Sequence, residues 1–395
     1  MAESDRYGHI VTFDTREHLA HAARQAKERG YDRFLIIDCD AHIYENESWG
    51  EIVALIENPV IRDRAMAGMA KGGARPGLLV SQVGDQDMGG RIIRYVKRKS
   101  EPVEEGVHRD VALVRRYMDS MGIDYCVLFP TPMLNLGLHP EVPVEVAIAR
   151  AYARWITEYI TPQEKRIKAM LYLPFNDPDE SVRLVEEFAE KPGVAGFMVT
   201  SVRYRPVHHN SYMKLYATLE ERGKPLAFHS AYNWIGDRSF EQLNRFISVH
   251  ALGFSWFNIL HCTNWVINGI PERFPRLKVI WIEGGVAWVP FLMERLDNEY
   301  VKRSSECPSL TKKPSEYMRE FYYTSQPLEL AGNREFLRLA FEMINAETQL
   351  LYASDYPHWD FDLPSTIYDL PFLSERAKRR ILGENARELF GIQVE

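Results

Sequence analysis

The sequence predicts an α/β fold, a (β/α)8 TIM barrel, on three observations: eight short β-branched and aromatic runs, amphipathic stretches between them, and metal-ligand-type side chains just after several of the runs. The runs are 33–38, 124–129, 169–173, 196–200, 225–228, 278–282, 321–324 and 350–352, each bounded by turn or polar residues. Separated by helical patterns, they read as parallel strands. Segments 181–190 and 212–222 bring an apolar residue back every three to four positions, the spacing of a helix face laid on a sheet. An open, doubly wound sheet is the competing arrangement. No G-x-G-x-x-G turn follows any of the runs, which removes support for its dinucleotide-binding form.

With no internal repeat and no low-complexity linker, residues 1–395 read as a single barrel domain with two additions. Residues 1–32 form a polar, helical N-terminal extension, and residues 46–110 form a long insertion after the first strand with Gly-rich and basic segments (KGGARPG, MGGRIIRYVKRKS). An insertion at that end of a strand sits over the active face, as a lid or a dimer contact.

Composition narrows the function. A hydrophobic fraction of 46% with 26% charged residues is that of a globular protein able to bury a large core. The net charge of −7 is not concentrated in a tail, which speaks against nucleic acid as partner. Neither a signal-peptide core nor an apolar run long enough to cross a bilayer is present, so no membrane role and a cytoplasmic location are expected. Cys39, Cys126, Cys262 and Cys307 lack C-x-x-C spacing, so no structural zinc or disulfide framework is suggested. The GFSW segment at Gly253 lacks the second Gly of a nucleophile elbow, and no phosphate loop is found.

In a barrel of this kind the reactive groups sit past the carboxyl ends of the strands. The first run leads into Asp38-Cys39-Asp40-Ala41-His42-Ile43-Tyr44-Glu45, the fifth into His229, the sixth into Glu283-Gly284-Gly285, and the eighth into Ser354-Asp355-Tyr356-Pro357-His358. Imidazole and carboxylate suit a borderline divalent ion, and three protein ligands with an open position are what a catalytic metal requires. Each residue also has a structural alternative: His229 as a satisfied core side chain, Asp355 as a cap or turn residue, Glu283 as an acceptor in a Gly-Gly turn. Their coincidence at one face favours a metal held by His42, His229 and Asp355.

Several segments resemble the amidohydrolase-related branch of the amidohydrolase superfamily, from about residue 33 to 392: D-x-D-x-H-x-x-E at 38–45, CVLFPT at 126–131, KPLAFH ending at His229, GIPERFPRLKVIWIEGGVAWVPFLMERLD at 269–297, SDYPH at 354–358 and ILGENARELFGI at 381–392. The resemblance implies one divalent metal bound by Asp40, His42, His229 and Asp355, with zinc the first expectation and manganese or iron the alternatives. It also implies a small-molecule substrate and a homo-oligomer. Two positions depart from the pattern. Asp40 stands where many members have His, as a carboxylate does in some decarboxylating members. Glu283 stands where the decarboxylating members carry a catalytic His; the nearest substitute is His261, in the helical stretch 254–265. Thr200 ends the fourth run with no bridging Lys, so a mononuclear site is expected.

A bound metal would lower the pKa of water and polarise a substrate oxygen. On this reading Asp355 is the proton acceptor, Glu283 a second proton relay, and Glu45 orients His42 through a hydrogen bond. The missing histidine favours hydrolysis of a small aromatic or unsaturated carboxylic acid. Non-oxidative decarboxylation of a similar acid is the alternative, and a non-catalytic binding barrel the third reading. Tyr232, Trp234, His358 and Trp359 are the candidate substrate contacts, with packing of the barrel rim as their other reading.

Overall fold

The computed structural model describes residues 15–45, 48–70, 103–200, 205–231, 239–240, 242–243, 245–330 and 332–394. Eight parallel strands stand side by side in chain order: β1 (Ile37–Ile43), β2 (Tyr125–Pro130), β3 (Ile167–Tyr172), β4 (Val194–Thr200), β5 (Leu226–His229), β6 (Val279–Ile282), β7 (Tyr322–Thr324) and β8 (Leu350–Leu351). The chain past β8 returns to β1. Cys39 N–H donates to the Tyr352 carbonyl at 2.9 Å, Asp355 N–H to the Asp40 carbonyl at 2.7 Å, and His42 N–H to the Tyr356 carbonyl at 2.8 Å. The first and last strand ends are thus tied together, the condition for one ring of side chains to share a mouth.

Apolar runs become strands here because both faces of a parallel sheet are covered, one by the barrel interior and one by helices. The exception is β1. The apolar run at 33–38 predicted a strand ending at Asp38, whereas residues 31–33 form a turn and the strand continues to Ile43. Asp38-Cys39-Asp40-Ala41-His42-Ile43 alternates polar and apolar, the period of a strand whose polar members face the barrel interior. Asp40 and His42 therefore project from the strand itself.

Helices cover the barrel where predicted. Pro178–Phe188 is capped by Asp177, whose Oδ1 accepts from Glu180 N–H at 3.1 Å, and Met213–Glu221 follows a short turn. In the N-terminal extension, helix Thr15–Arg29 buries Leu19 and Ala22 and is stapled by Arg29, whose guanidinium donates twice to Asp369 at 3.0 and 2.7 Å. Within the long insertion, helices Trp49–Ala54 and Pro59–Ala70 are described, while 71–102 lie outside the described residues. A small second core of Phe240, Val249, Phe254 and Phe257, with Leu138 packed against it, joins the long helix Phe246–Ile267 to the turn after β2. Among the described residues, no helix is long and apolar enough to cross a membrane.

Candidate metal centre and active site

β1 and β5 each send imidazole into the barrel mouth, and neighbouring interactions orient both rings. His42 Nδ1 meets the Pro130 carbonyl at 3.1 Å and His229 Nδ1 meets the Ser230 carbonyl at 2.7 Å, so each ring spends its N–H outward. The two Nε2 atoms then face each other 3.2 Å apart as lone-pair donors. Two such atoms repel unless a cation lies between them. Asp40 Oδ1 is 3.3 Å from His42 Nε2 and 3.4 Å from His229 Nε2, and neither Asp40 oxygen receives a hydrogen bond of normal geometry although the residue is fully buried. A buried carboxylate without a donor needs positive charge. Ligand atoms about 2.1 Å from a shared ion sit about 3.0 to 3.5 Å from one another, and these separations match. The residues present therefore fit a divalent metal.

Electrostatics agree. Burial alone would lower the His42 pKa, but hydrogen bonding to Asp355 and Asp40 and their charges outweigh it and push it up to about 10, so without an ion the cluster pulls a proton into that place. Burial opposes the charge on Asp40; the His229 and His42 imidazoles more than offset it and hold its carboxyl below the usual range.

The carboxylates of β6 and β8 are aimed by their backbones. Glu283 (φ 52°) and Asp355 (φ 60°) are both left-handed, a conformation that costs a residue with a Cβ on the order of 1 kcal/mol or more and persists only where surroundings impose it. Glu283 N–H is held by Thr324 Oγ1 at 3.0 Å, and its Oε2 lies 3.4 Å from His229 Nε2. Asn258, on helix Phe246–Ile267, fastens the neighbouring strand ends: its amide donates to the Ile282 carbonyl at 2.9 Å and its Oδ1 accepts from Ser230 at 3.2 Å. Asp355 Oδ1 lies 3.2 Å from His42 Nε2 and 2.6 Å from His358 Nδ1. Burial raises the Asp355 pKa, and the His358 and His42 rings more than reverse this, leaving it ionised.

His358, a candidate substrate contact, pairs with Asp355. Its other nitrogen meets Thr131 Oγ1 at 3.3 Å, and that hydroxyl is also 3.3 Å from His42 Nδ1. A proton shared by His358 Nδ1 and Asp355, with Thr131 donating to His358 Nε2, gives a continuous chain from the His42 ring to Asp355. Glu45 differs from expectation. Its oxygens accept from the backbone N–H groups of Thr131 at 3.1 Å and Met133 at 3.2 Å, so it fixes the turn that carries the partners of His42 Nδ1 instead of bonding to the ring. That turn, not the imidazole, offers the N–H donors a buried carboxylate needs.

The structure does not bring His261 into the cluster. It lies on helix Phe246–Ile267, its ring parallel to that of Phe257, and outside both His–carboxylate groups, Asp40/His42/His229/Glu283 and His42/Asp355/His358. Trp359 packs against His250 at 5.3 Å on the rim. Tyr232 and Trp234 lie outside the described residues. Three residues absent from the sequence-based site join it: Thr131; Gln326, whose amide donates to Asp355 Oδ2 at 3.4 Å; and Asp38, which accepts from Ser354 N–H at 2.8 Å and Ser354 Oγ at 2.5 Å. Asp38 stood in the first-strand motif and Thr131 in CVLFPT, but nothing in the sequence pointed to Gln326.

Known proteins share this architecture. A gamma-resorcylate decarboxylase from Polaromonas sp. is 22% identical over 286 residues, 70% of this chain and 85% of that protein. The solved structure of a dihydroxybenzoic acid decarboxylase from Polaromonas sp., with manganese and 2-nitroresorcinol bound, superposes with a TM-score of 0.64 at 18% identity, over 91% of this chain and 97% of that one. A 5-carboxyvanillate decarboxylase from Sphingomonas paucimobilis does so with a TM-score of 0.65 at 22% identity, over 91% and 100%. At these identities the structural likeness shows the shared barrel. The family model for amidohydrolases matches residues 37–392, from the start of β1 to the C-terminal segment, and the chain therefore belongs to the amidohydrolase family.

Proposed function

We propose that this protein is a metal-dependent enzyme that decarboxylates a small hydroxylated aromatic acid without oxidation. The observation that carries the reading is the buried Asp40/His42/His229 group, built for a divalent ion, in a chain whose full-length relatives include decarboxylases of such acids. Asp40, His42 and His229 would hold the ion, which when bound would anchor and polarise the oxygens of the acid and its neighbouring hydroxyl. Manganese joins zinc as a leading candidate, given the manganese in the Polaromonas enzyme.

The chain's own residues then need to deliver one proton. Decarboxylation of an aromatic acid adds a proton to the ring carbon bearing the carboxyl group; the C–C bond breaks, its electron pair restores the aromatic ring, and carbon dioxide leaves. Asp355, fixed by His358 and Gln326, stands beside His42 where it can hold that proton. His358, whose Nδ1 faces Asp355 Oδ1 at 2.6 Å, can return a proton to it.

Hydrolysis, the first expectation from sequence, becomes the second reading. Glu283 favours it, standing where the decarboxylating members carry His. The test is incubation of the manganese- or zinc-loaded protein with γ-resorcylate, 5-carboxyvanillate and related hydroxybenzoates in deuterated water. Carbon dioxide release with one deuterium at the vacated ring carbon is the expected result. No carbon dioxide from any acid, with oxygen-18 from labelled water entering the product of an ester or amide panel, would replace it with hydrolysis.

A further inference from the structure

We propose that this protein assembles as a homodimer through the outer face of helix Phe246–Ile267 and the start of the neighbouring helix Trp288–Arg303. The family resemblance implies a homo-oligomer but leaves its contact surface open, and the sequence offers the insertion at 46–110 as one candidate. The inference concerns assembly and stands apart from which bond the enzyme breaks.

Helix Phe246–Ile267 runs for 22 residues without one Asp, Glu, Lys or Arg. A helix on the outside of a barrel ordinarily turns a charged stripe to water. Here the outward stripe is Leu252, Trp256 and Leu260, spaced one helical turn apart and 55, 42 and 43% exposed. Helix Trp288–Arg303 packs beside it and adds Phe291, 60% exposed in its first turn. Together these side chains leave on the order of 400 Å2 of apolar surface, the scale that marks an interaction site and about half of the roughly 800 Å2 that each partner gives to a stable interface. The helix cannot rotate the stripe inward. On its other side Asn258 donates to the Ile282 carbonyl at 2.9 Å and Ser255 Oγ to the Gly284 carbonyl at 2.8 Å, bonds that fix its phase against the end of β6.

Charge says what covers the stripe. In a two-fold contact, residues near the axis meet their own copies, so a charge placed there faces a like charge. An uncharged stripe escapes that repulsion, and Trp is among the side chains that carry most of the binding energy at the centre of such contacts. Both signs stand at the edge of the patch. Glu294 and Arg295 are exposed in the turn that follows Phe291, where each can meet the opposite sign on a second copy of the chain. An anionic membrane surface, the other cover an apolar helix face could take, calls for Lys and Arg along the helix. The 22 residues contain none, and the chain as a whole carries a net charge of −7.

The test is sedimentation velocity on the full-length protein at micromolar concentrations. Wild type should sediment with the mass of two chains or a multiple of it. Trp256→Glu with Leu260→Glu sets like charges face to face and should halve that mass while keeping the circular dichroism of wild type. Val60→Glu, at an exposed apolar residue of the insertion, should leave the mass unaltered. Wild type that stays monomeric at every concentration overturns the proposal, and so does a double variant that keeps the wild-type mass while Val60→Glu dissociates. Monomeric wild type that co-sediments with phosphatidylserine-containing vesicles would give this face to a membrane instead. Should the double variant not fold, Trp256→Ser removes apolar area without adding charge and should weaken the assembly at least about tenfold. Wild-type affinity in that variant overturns the proposal.

Discussion

The two ends of the barrel spend polar groups in opposite ways. At the base, where β2 and β3 begin, charges answer one another in view of solvent: Glu164 accepts from Arg115 at 2.7 Å and from Arg166 at 3.3 Å, and Arg166 reaches Asp119 at 2.9 Å. A cavity of about 880 Å3 opens there, lined by Arg33, Asp124, Glu164 and Arg166, yet nothing around it is arranged for chemistry. At the mouth, the polar groups are buried, two carboxylates sit on left-handed residues, and Asp40 has no donor. The base satisfies its charges within the chain and serves stability. The mouth leaves a deficit of positive charge that only something from outside can fill.

The largest expected effect of breaking the comparison lies at the mouth. Replacing His42 and His229 together by Ala removes both Nε2 donors, and metal content measured by elemental analysis should fall from about one ion per chain to near zero, with turnover lost. Near-stoichiometric metal in that double variant would place the ion elsewhere. Next comes Asp355→Asn, which keeps the shape of the side chain but removes its proton-holding oxygen. Turnover should fall by about a thousandfold or more. An active Asn variant would strip Asp355 of the proton step.

How much of this was readable from sequence depended on whether a residue's role is local. All eight strands and the carboxylates and imidazoles that follow them lie in the sequence order predicted, because runs of apolar residues and their polar ends are contiguous along the chain. β1 was cut short because an apolar-run criterion stops at Asp38, while the strand continues in an alternating pattern that first read as a motif. Through-space partners were out of reach: Gln326 meets Asp355 from 29 positions away, and Ser354 meets Asp38 from 316. Glu45 was singled out as a partner of His42, but its bonds run to backbone N–H groups, which carry no side-chain signature. His261 was singled out by its chemistry; on its helix it lies parallel to Phe257, one turn away, and stands outside both His–carboxylate groups.

At the mouth end but outside the metal cluster, Glu145 in the first turn of helix Val142–Trp155 gives an intermediate effect. Burial raises its pKa to about 7, partly offset by donation from the Asn176 amide and the Tyr172 hydroxyl at 2.9 and 3.0 Å. The folded value lies above the ordinary 4.5, so the folded chain binds the extra proton. Its stabilising effect is complete below about pH 4.5 and is lost as pH rises through about 7. Glu145→Gln mimics the protonated form. It should flatten the wild-type fall in Tm between those values and raise stability at pH 8 by about 1–3 kcal/mol. A Tm profile parallel to wild type would mean the carboxyl is ionised when folded.

The smallest effect is expected at the base, and its smallness is the point. Arg166 makes as many charged contacts as any residue at the mouth, to Asp119 and Glu164, but its side chain is one-third exposed and that of Asp119 nearly two-thirds. Water competes for both charges, so the pair contributes about 1 kcal/mol or less and loses part of that in salt. Arg166→Ala should therefore shift Tm by only a few degrees and leave manganese affinity and turnover unchanged. A change in metal affinity would show that the base is coupled to the mouth through the barrel staves, and the division of labour between the two ends would fail. An unchanged site with a slightly less stable chain is what a barrel gives when strand ends of opposite polarity are used for separate tasks.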